Sequence, residues 1–164
     1  KYYAQIIVNS NIEFDMILGP AYKGIPLVSA TSIALSLQHN KDKPYVFNRK
    51  EKKQHGEGGL WVGAPLKGKV LIVDDVITAG TAIGEVMDLL APYGDVEVAG
   101  VVVAMDRQEK AGGDLSAIAQ VQQKYSIDVV SVVCLDQLLS FLQDDVTQQQ
   151  NFAKVAEYRA KYGA

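Results

Sequence analysis

The sequence predicts an α/β domain with a mainly parallel central sheet flanked by helices. Short, nearly continuous apolar runs, at Val70 to Val73, Val96 to Met105 and Ile127 to Cys134, read as strands buried on both faces. Segments with apolar residues at helical spacing alternate with them, and strands alternating with helices build a parallel sheet with right-handed crossovers. At 164 residues, with no internal repeat or interdomain linker, the chain suits one domain able to bury roughly 70% of its unfolded surface.

Tyr2, Tyr3, Ile6 and Ile7 form a helical stripe ending near Asn9 to Asn11, expected to face the core. The chain opens on Lys1 within this pattern, and residues are expected before it. Phe14 to Leu18 reads as a strand running into Gly19-Pro20-Ala21-Tyr22-Lys23-Gly24, a turn built from breakers. A helix follows from Pro26 to Gln38, with Pro26 suited to its first turn. Pro44 to Asn48 reads as the next strand. Arg49 to Gly59 is the most charged stretch of the chain and has no apolar face, so it reads as a long mobile loop. After a turn at Gly63 to Gly68, a central strand covers Lys69 to Asp74, and Ile83, Val86, Met87 and Leu90 mark the helix behind it. Val96 to Met105 is a strand, Leu115 to Tyr125 a helix and Ile127 to Cys134 the last strand. Asp136 is expected to cap a helix with Leu138, Leu139, Phe141 and Leu142 inward. Val146 to Tyr162 reads as an outer helix, rich in glutamine.

The central stretch, Val70 to Glu85, carries the most chemistry. Asp74 and Asp75 stand at the carboxyl end of a buried strand, followed by Thr78, Ala79, Gly80 and Thr81 at the start of a helix. Small residues let backbone N–H groups approach a phosphate, the threonines add hydroxyl donors, and the helix N-terminus adds partial positive charge. The acids would repel a phosphate but can accept hydrogen bonds from vicinal hydroxyls. A 5-phosphoribosyl site satisfies both halves. An ordinary N-cap at Asp75 or Thr78 would explain only one of these polar residues. Neither an ATPase loop nor a dinucleotide fingerprint is present.

Three other groups stand at candidate ligand positions. Lys23 lies in a strand-to-helix turn, where open α/β sheets bind ligands, and reads either as a solvated lysine or as part of a diphosphate cradle. Arg49, Lys50, Lys53 and His55 lie in the charged stretch, which reads either as a solvated loop or as a cationic lid hinged on glycines. Arg107 follows a strand end and reads either as a surface ion pair with Asp106 or Glu109, or as a fork for a planar carboxylate.

Composition narrows the class. A net charge of −3 and a pI near 5.3 argue against general affinity for nucleic acid or membrane surfaces. Cys134 is the one cysteine and is expected to be buried and inert. No disulfide can form within the chain, which favours a reducing, cytoplasmic compartment. His39, at a helix end, is expected at the surface. One Cys and two His do not suit a structural zinc site, and no metal-ligating residues are assigned.

Taken together, Gly19 to Pro26, Phe47-Asn48-Arg49-Lys50-Glu51, Lys53, His55-Gly56-Glu57-Gly58, Asp74 to Ala82 and Asp106-Arg107-Gln108-Glu109 resemble orotate phosphoribosyltransferase, a type I phosphoribosyltransferase. The resemblance runs from about Tyr3 to Tyr162. It implies a type I phosphoribosyltransferase core with a mobile catalytic loop. It also implies transfer of 5-phosphoribosyl from 5-phosphoribosyl diphosphate (PRPP) to N1 of orotate, with Mg²⁺ held mainly by substrate oxygens and water. By position, Tyr22, Lys23, Arg49, Lys50, Lys53 and His55 would contact PRPP. Asp74, Asp75, Val76, Ile77, Thr78, Ala79, Gly80, Thr81 and Ala82 would hold its ribose phosphate, and Thr78 and Arg107 would meet orotate. Lys53, His55, Arg49, Asp74 and Asp75 are the expected catalytic set. The family implies a homodimer whose loop reaches the neighbouring site. It also implies an N-terminal substrate-covering segment, which residues 1–164 are expected to lack. A purine or uracil transferase, or a PRPP-sensing regulator, are the alternatives.

Overall fold

In the computed structural model, residues 1–53, 59–78 and 80–164 are described, with only the backbone of Lys52 and Lys53. Among them six strands form one sheet in the order β3-β2-β1-β4-β5-β6. The strands are β1 (Met16–Gly19), β2 (Tyr45–Lys53), β3 (Gly59–Gly63), β4 (Gly68–Val76), β5 (Val96–Asp106) and β6 (Asp128–Cys134). All neighbours pair parallel except β2 with β3. The helices are α1 (Tyr2–Ser10), α2 (Gly24–His39), α3 (Thr81–Leu90), α4 (Ala117–Tyr125), α5 (Leu135–Asp144) and α6 (Gln149–Tyr162). No described helix is long and apolar enough to cross a membrane.

Strand alternation builds two cores. Leu71 and Val73 of β4, with Val102 of β5, face α1 and α2 and pack with Ile7, Val28 and Leu35. Val70 and Ile72, with Val101 and Val103, face the other way, toward Ile83, Val86 and Leu90 of α3 and Ile118 and Val121 of α4. Both faces of the central strands are therefore covered, as their unbroken apolar runs require.

The main correction concerns Arg49 to Gly59. The structure continues β2 through Lys53 and returns as β3, with Lys53 opposite Gly59 and Asn48 opposite Trp61. A loop was expected because the charged residues lack an apolar face. A ribbon that runs past its parallel neighbour needs none: β1 pairs only with Tyr45 to Phe47, so the rest of β2 is held by β3 alone. Trp61 anchors β3 by donating its indole N–H to the Tyr93 hydroxyl at 3.0 Å.

Smaller corrections follow from tertiary context. Tyr2 and Phe141 point outward, at 69% and 67% exposure; the buried residues of α1 are Ala4 and Ile7, and those of α5 are Leu135 and Leu142. Cys134, not Asp136, is the N-cap of α5, with its backbone N–H donating to Gln137 Oε1 at 2.9 Å. Cys134 and His39 are both half-buried rather than buried and exposed respectively.

β1 meets α2 with very little room. A Cβ on Gly19 would lie 2.7 Å from Val28 Cβ and closer still to the Gly24 backbone. Gly19→Ala is expected to cost about 3 kcal/mol through forced separation of β1 and α2. Urea denaturation would show this as a lowered midpoint, and an unchanged midpoint would contradict the close packing.

Candidate active site

The strand order reverses between β1 and β4: the chain moves outward from β1 to β2 and β3, then crosses back to β4 on the other side. The carboxyl ends of β1 and β4 therefore flank a topological switch point, where open α/β sheets bind ligands. Two segments face each other there. One is the turn from Gly19 to Gly24, which contains a cis Ala21–Tyr22 peptide. The other is Asp74 to Ala82.

Asp75 and Lys23 join the two segments, with Lys23 Nζ 2.5 Å from Asp75 Oδ2. Burial opposes ionisation of Asp75, but the hydrogen bond and charge of Lys23 prevail and hold its carboxyl below the usual range. The same bond raises the pKa of Lys23. Asp74 behaves oppositely. It is 7% exposed, and burial pushes its pKa up to about 6, against the hydrogen bond that it accepts from the Asp75 backbone N–H at 2.9 Å. Two adjacent carboxylates are thus set apart: Asp75 is held ionised by its pairing with Lys23, and Asp74 keeps its proton up to a higher pH.

Beyond the acids, Ile77 is buried, while Thr78, Thr81 and Ala82 are exposed. Gly80 (φ 69°) is the N-cap of α3, and among the described residues no side chain caps that end or places an acid in its first turn. The N–H groups of the first turn of α3 are therefore open toward a hollow lined by Val76, Ile77, Thr78, Gly80, Ala82 and Ile83. Such an end suits a phosphate group. A much larger cavity, about 650 Å³, lies at the opposite, amino ends of the strands among Ile7, Phe14, Asp15, Lys41, Lys43 and Lys69. Its best-placed groups are already engaged: Lys43 Nζ donates to the Phe14 carbonyl at 2.6 Å, and Asp15 accepts from the Lys69 N–H at 2.8 Å. Size alone does not make it the site.

Arg107 follows β5. Val76 pairs with Met105, so Thr78 and Arg107 each stand two residues beyond that pair on neighbouring strands. The Arg107 guanidinium meets Glu109 at 3.0 Å through Nη2, while its buried Nε has no hydrogen-bond partner among the described residues. Tyr22 is exposed beside Lys23. Arg49 donates to the Gly59 carbonyl at 3.3 Å across the β2–β3 ribbon, and Lys50 lies 3.7 Å from Glu85 of α3, an exposed pair that is easily exchanged. The Lys53 side chain, His55 and Ala79 lie outside the described residues.

Two residues of the site escaped the sequence. Tyr3, expected in the core, donates its hydroxyl to the Asp74 backbone carbonyl at 2.8 Å; burial, then the charges of Asp75 and Asp74, push its pKa up to about 12. A tyrosine in an apolar stripe needs a partner for its hydroxyl, and that was the available signal. Asn48 is buried and accepts the Ala21 N–H at 2.8 Å, tying the first turn to β2. Nothing local marks a partner 27 residues away.

The phosphoribosyl transferase domain family matches residues 1–137. The chain is 54% identical to an orotate phosphoribosyltransferase of Pseudomonas fluorescens (strain SBW25), over 99% of this chain and 76% of that protein. It is 56% identical to one from Hahella chejuensis, over 99% and 75%. The crystal structure of orotate phosphoribosyltransferase from Francisella tularensis superposes with a TM-score of 0.86 at 42% identity, covering 99% of this chain and 77% of that one.

Proposed function

The chain belongs to the phosphoribosyltransferases and, within them, to the orotate phosphoribosyltransferase family, and on that premise we propose how its residues carry out the reaction. The enzyme transfers 5-phosphoribosyl from PRPP to N1 of orotate, giving orotidine 5′-monophosphate and diphosphate in pyrimidine biosynthesis. The observation that carries this reading is the switch-point crevice, with an uncapped helix N-terminus on one side and the Lys23–Asp75 pair on the other. Residues 1–164 act as one phosphoribosyltransferase domain.

The backbone and hydroxyls of Ile77 to Ala82 receive the 5-phosphate. Asp74 and Asp75 face the ribose hydroxyls and lie near the anomeric carbon as its bond to diphosphate breaks and positive charge builds there. Lys23 can leave Asp75 for diphosphate oxygens, since it is exposed and pays little desolvation. Arg49, Lys50, Lys53 and His55 supply the remaining positive charge for the leaving group, with Lys53 foremost. Fixed cations act most strongly where water is excluded.

Among the described residues no three His, Cys, Asp or Glu side chains converge as a metal cage. Mg²⁺ would be held mainly by substrate oxygens and water, and the carboxylates of Asp74 and Asp75 have the oxygen chemistry to assist through that water. When bound, it neutralises charge on the diphosphate.

A homodimer is supported by α2, whose exposed residues Pro26, Ala30, Ile33 and Leu37 share one apolar face, with Leu37 81% exposed. A cytoplasmic setting accords with the lone Cys134.

Arg107 gives the test. Its side chain is 33% exposed at the carboxyl end of β5, where a guanidinium can bind a planar substrate carboxylate bidentately. Arg107→Ala should raise the orotate KM about 10–100-fold and leave the PRPP KM within about twofold. Following loss of orotate absorbance with PRPP and Mg²⁺ would measure both, with uracil, hypoxanthine and adenine in parallel. Turnover of one of those bases in place of orotate would sink the assignment.

A further inference from the structure

We propose that Asp136 and Arg159, on the two C-terminal helices, are positioning residues for nucleobase recognition: they hold Gln108, and Gln108 holds the backbone that carries Arg107. The proposal rests on Arg107 meeting orotate.

Gln108 has a left-handed backbone (φ 51°), unusual for a residue with a side chain, and four hydrogen bonds hold it there. Its N–H donates to Asp106 Oδ1 at 2.8 Å, and its carbonyl accepts the Ala164 N–H at 2.9 Å. Its side-chain amide donates to Asp136 Oδ2 and accepts the Asp136 backbone N–H, both at 2.9 Å. Asp136 is held in turn by Arg159, whose Nη2 lies 3.2 Å from Asp136 Oδ1. The contacts run in series from α6 through α5 to the residue beside Arg107.

The chain after α6 adds a second hold. Glu109 and Gly163 form an antiparallel bridge, and the Lys110 N–H donates to the Tyr162 carbonyl at 3.0 Å. Gly163 is required for this return: a Cβ there would lie 2.5 Å from the Arg159 carbonyl oxygen and 3.0 Å from its Cδ.

Two observations bear on the brace. No residue of α6 is fully buried, and its Phe152, Val155, Ala156 and Tyr158 are half-buried, so the polar ties to this loop add to a shallow apolar contact. In addition, Arg107 Nε, Glu109 Oε1 and Arg159 Nη1 are three of the four buried side-chain polar atoms without a hydrogen-bond partner among the described residues. Buried polar groups are rarely left so. The brace fixes the loop that carries Arg107, whose side chain is 33% exposed.

The test uses the full chain with PRPP, Mg²⁺ and orotate. Asp136→Ala and Arg159→Leu should each raise the orotate KM by about tenfold, with the PRPP KM and kcat changed by less than about twofold, because a small displacement of one contact group is enough. Arg159→Lys should recover most of the loss. In an Arg107→Ala background, Asp136→Ala should add no further rise, since the two act through one contact. Should Asp136→Ala fail to fold, Asp136→Asn, which keeps an acceptor for Gln108 but loses the ion pair with Arg159, serves in its place with a smaller rise expected. An unchanged orotate KM in these variants, or an equal rise in the Arg107→Ala background, would overturn the proposal while Arg107 kept its role. If Arg107→Ala itself leaves the orotate KM unchanged, the role of Arg107 and the brace fall together.

Discussion

Asp74→Asn is expected to make the protein more stable at neutral pH and far less active. Asp74 is an acid whose pKa is raised in the folded state, from the ordinary 3.8 to about 6, chiefly by burial. Between these values the folded protein keeps a proton that the unfolded chain has released. Stability therefore falls as pH rises from about 4 to about 6 and stays lower above that window. A shift of this size corresponds to about 2–3 kcal/mol. Asparagine is the same shape, can still accept the Asp75 N–H and carries no charge to desolvate. The melting temperature at pH 7.5 should rise by about 4–8 °C, while melts at pH 4 should nearly coincide with those of the native sequence. Loss of a carboxylate at the ribose should lower kcat/KM by about 10²-fold. A lower melting temperature at pH 7.5 would mean that the hydrogen bond to Asp75 outweighs the cost of burial. Activity within twofold of the native protein would remove Asp74 from the ribose site.

Lys53→Ala is expected to lose about 10²–10³-fold in kcat, as removal of a well-placed electrostatic donor does. Its larger use is in a mixture. β2 continues from Asn48 to Lys53 beyond the end of β1 and is paired there with β3 alone, so the ribbon projects from the sheet at its carboxyl end. If the ribbon serves the neighbouring subunit, a dimer of one Lys53→Ala chain and one Asp74→Asn chain carries both lesions in one site and none in the other. Random exchange of subunits should then restore about a quarter of native activity. If the ribbon serves its own subunit, every site carries a lesion and nothing is recovered. Mixing the two inactive proteins under mild denaturant, removing the denaturant and assaying orotate consumption decides between these.

Most of the fold and the strand–turn–helix segment of the candidate site were legible in the sequence because their signals are local. Val70 to Glu85 reads as strand, acids, turn and helix without knowledge of any other residue, and the structure has β4, Asp74 and Asp75, the Gly80 cap and α3 in that order. The β2–β3 ribbon was not legible, because Asn48 to Lys53 is held by pairing with Gly59 to Trp61 rather than by a buried face of its own. Phe141 was misplaced because a helical stripe shows which residues share a face but not how wide a face the neighbours cover.

What the sequence determined by itself is the succession of elements apart from the β2–β3 ribbon, and the kinds of groups they carry: two carboxylates, a hydroxyl-rich turn, cations after β1 and β5, and a run of cations from Arg49 onward. What only the tertiary structure decided is which of these groups hold one another. Lys23 meets Asp75 across 52 residues, Tyr3 meets the Asp74 carbonyl across 71, and Gln108 meets Asp136 across 28. The reason is physical. Secondary structure follows from periodicity over neighbouring residues. The ionisation of Asp74 and Asp75, and the brace beside Arg107, follow from burial and from partners that come near only when the sheet is assembled.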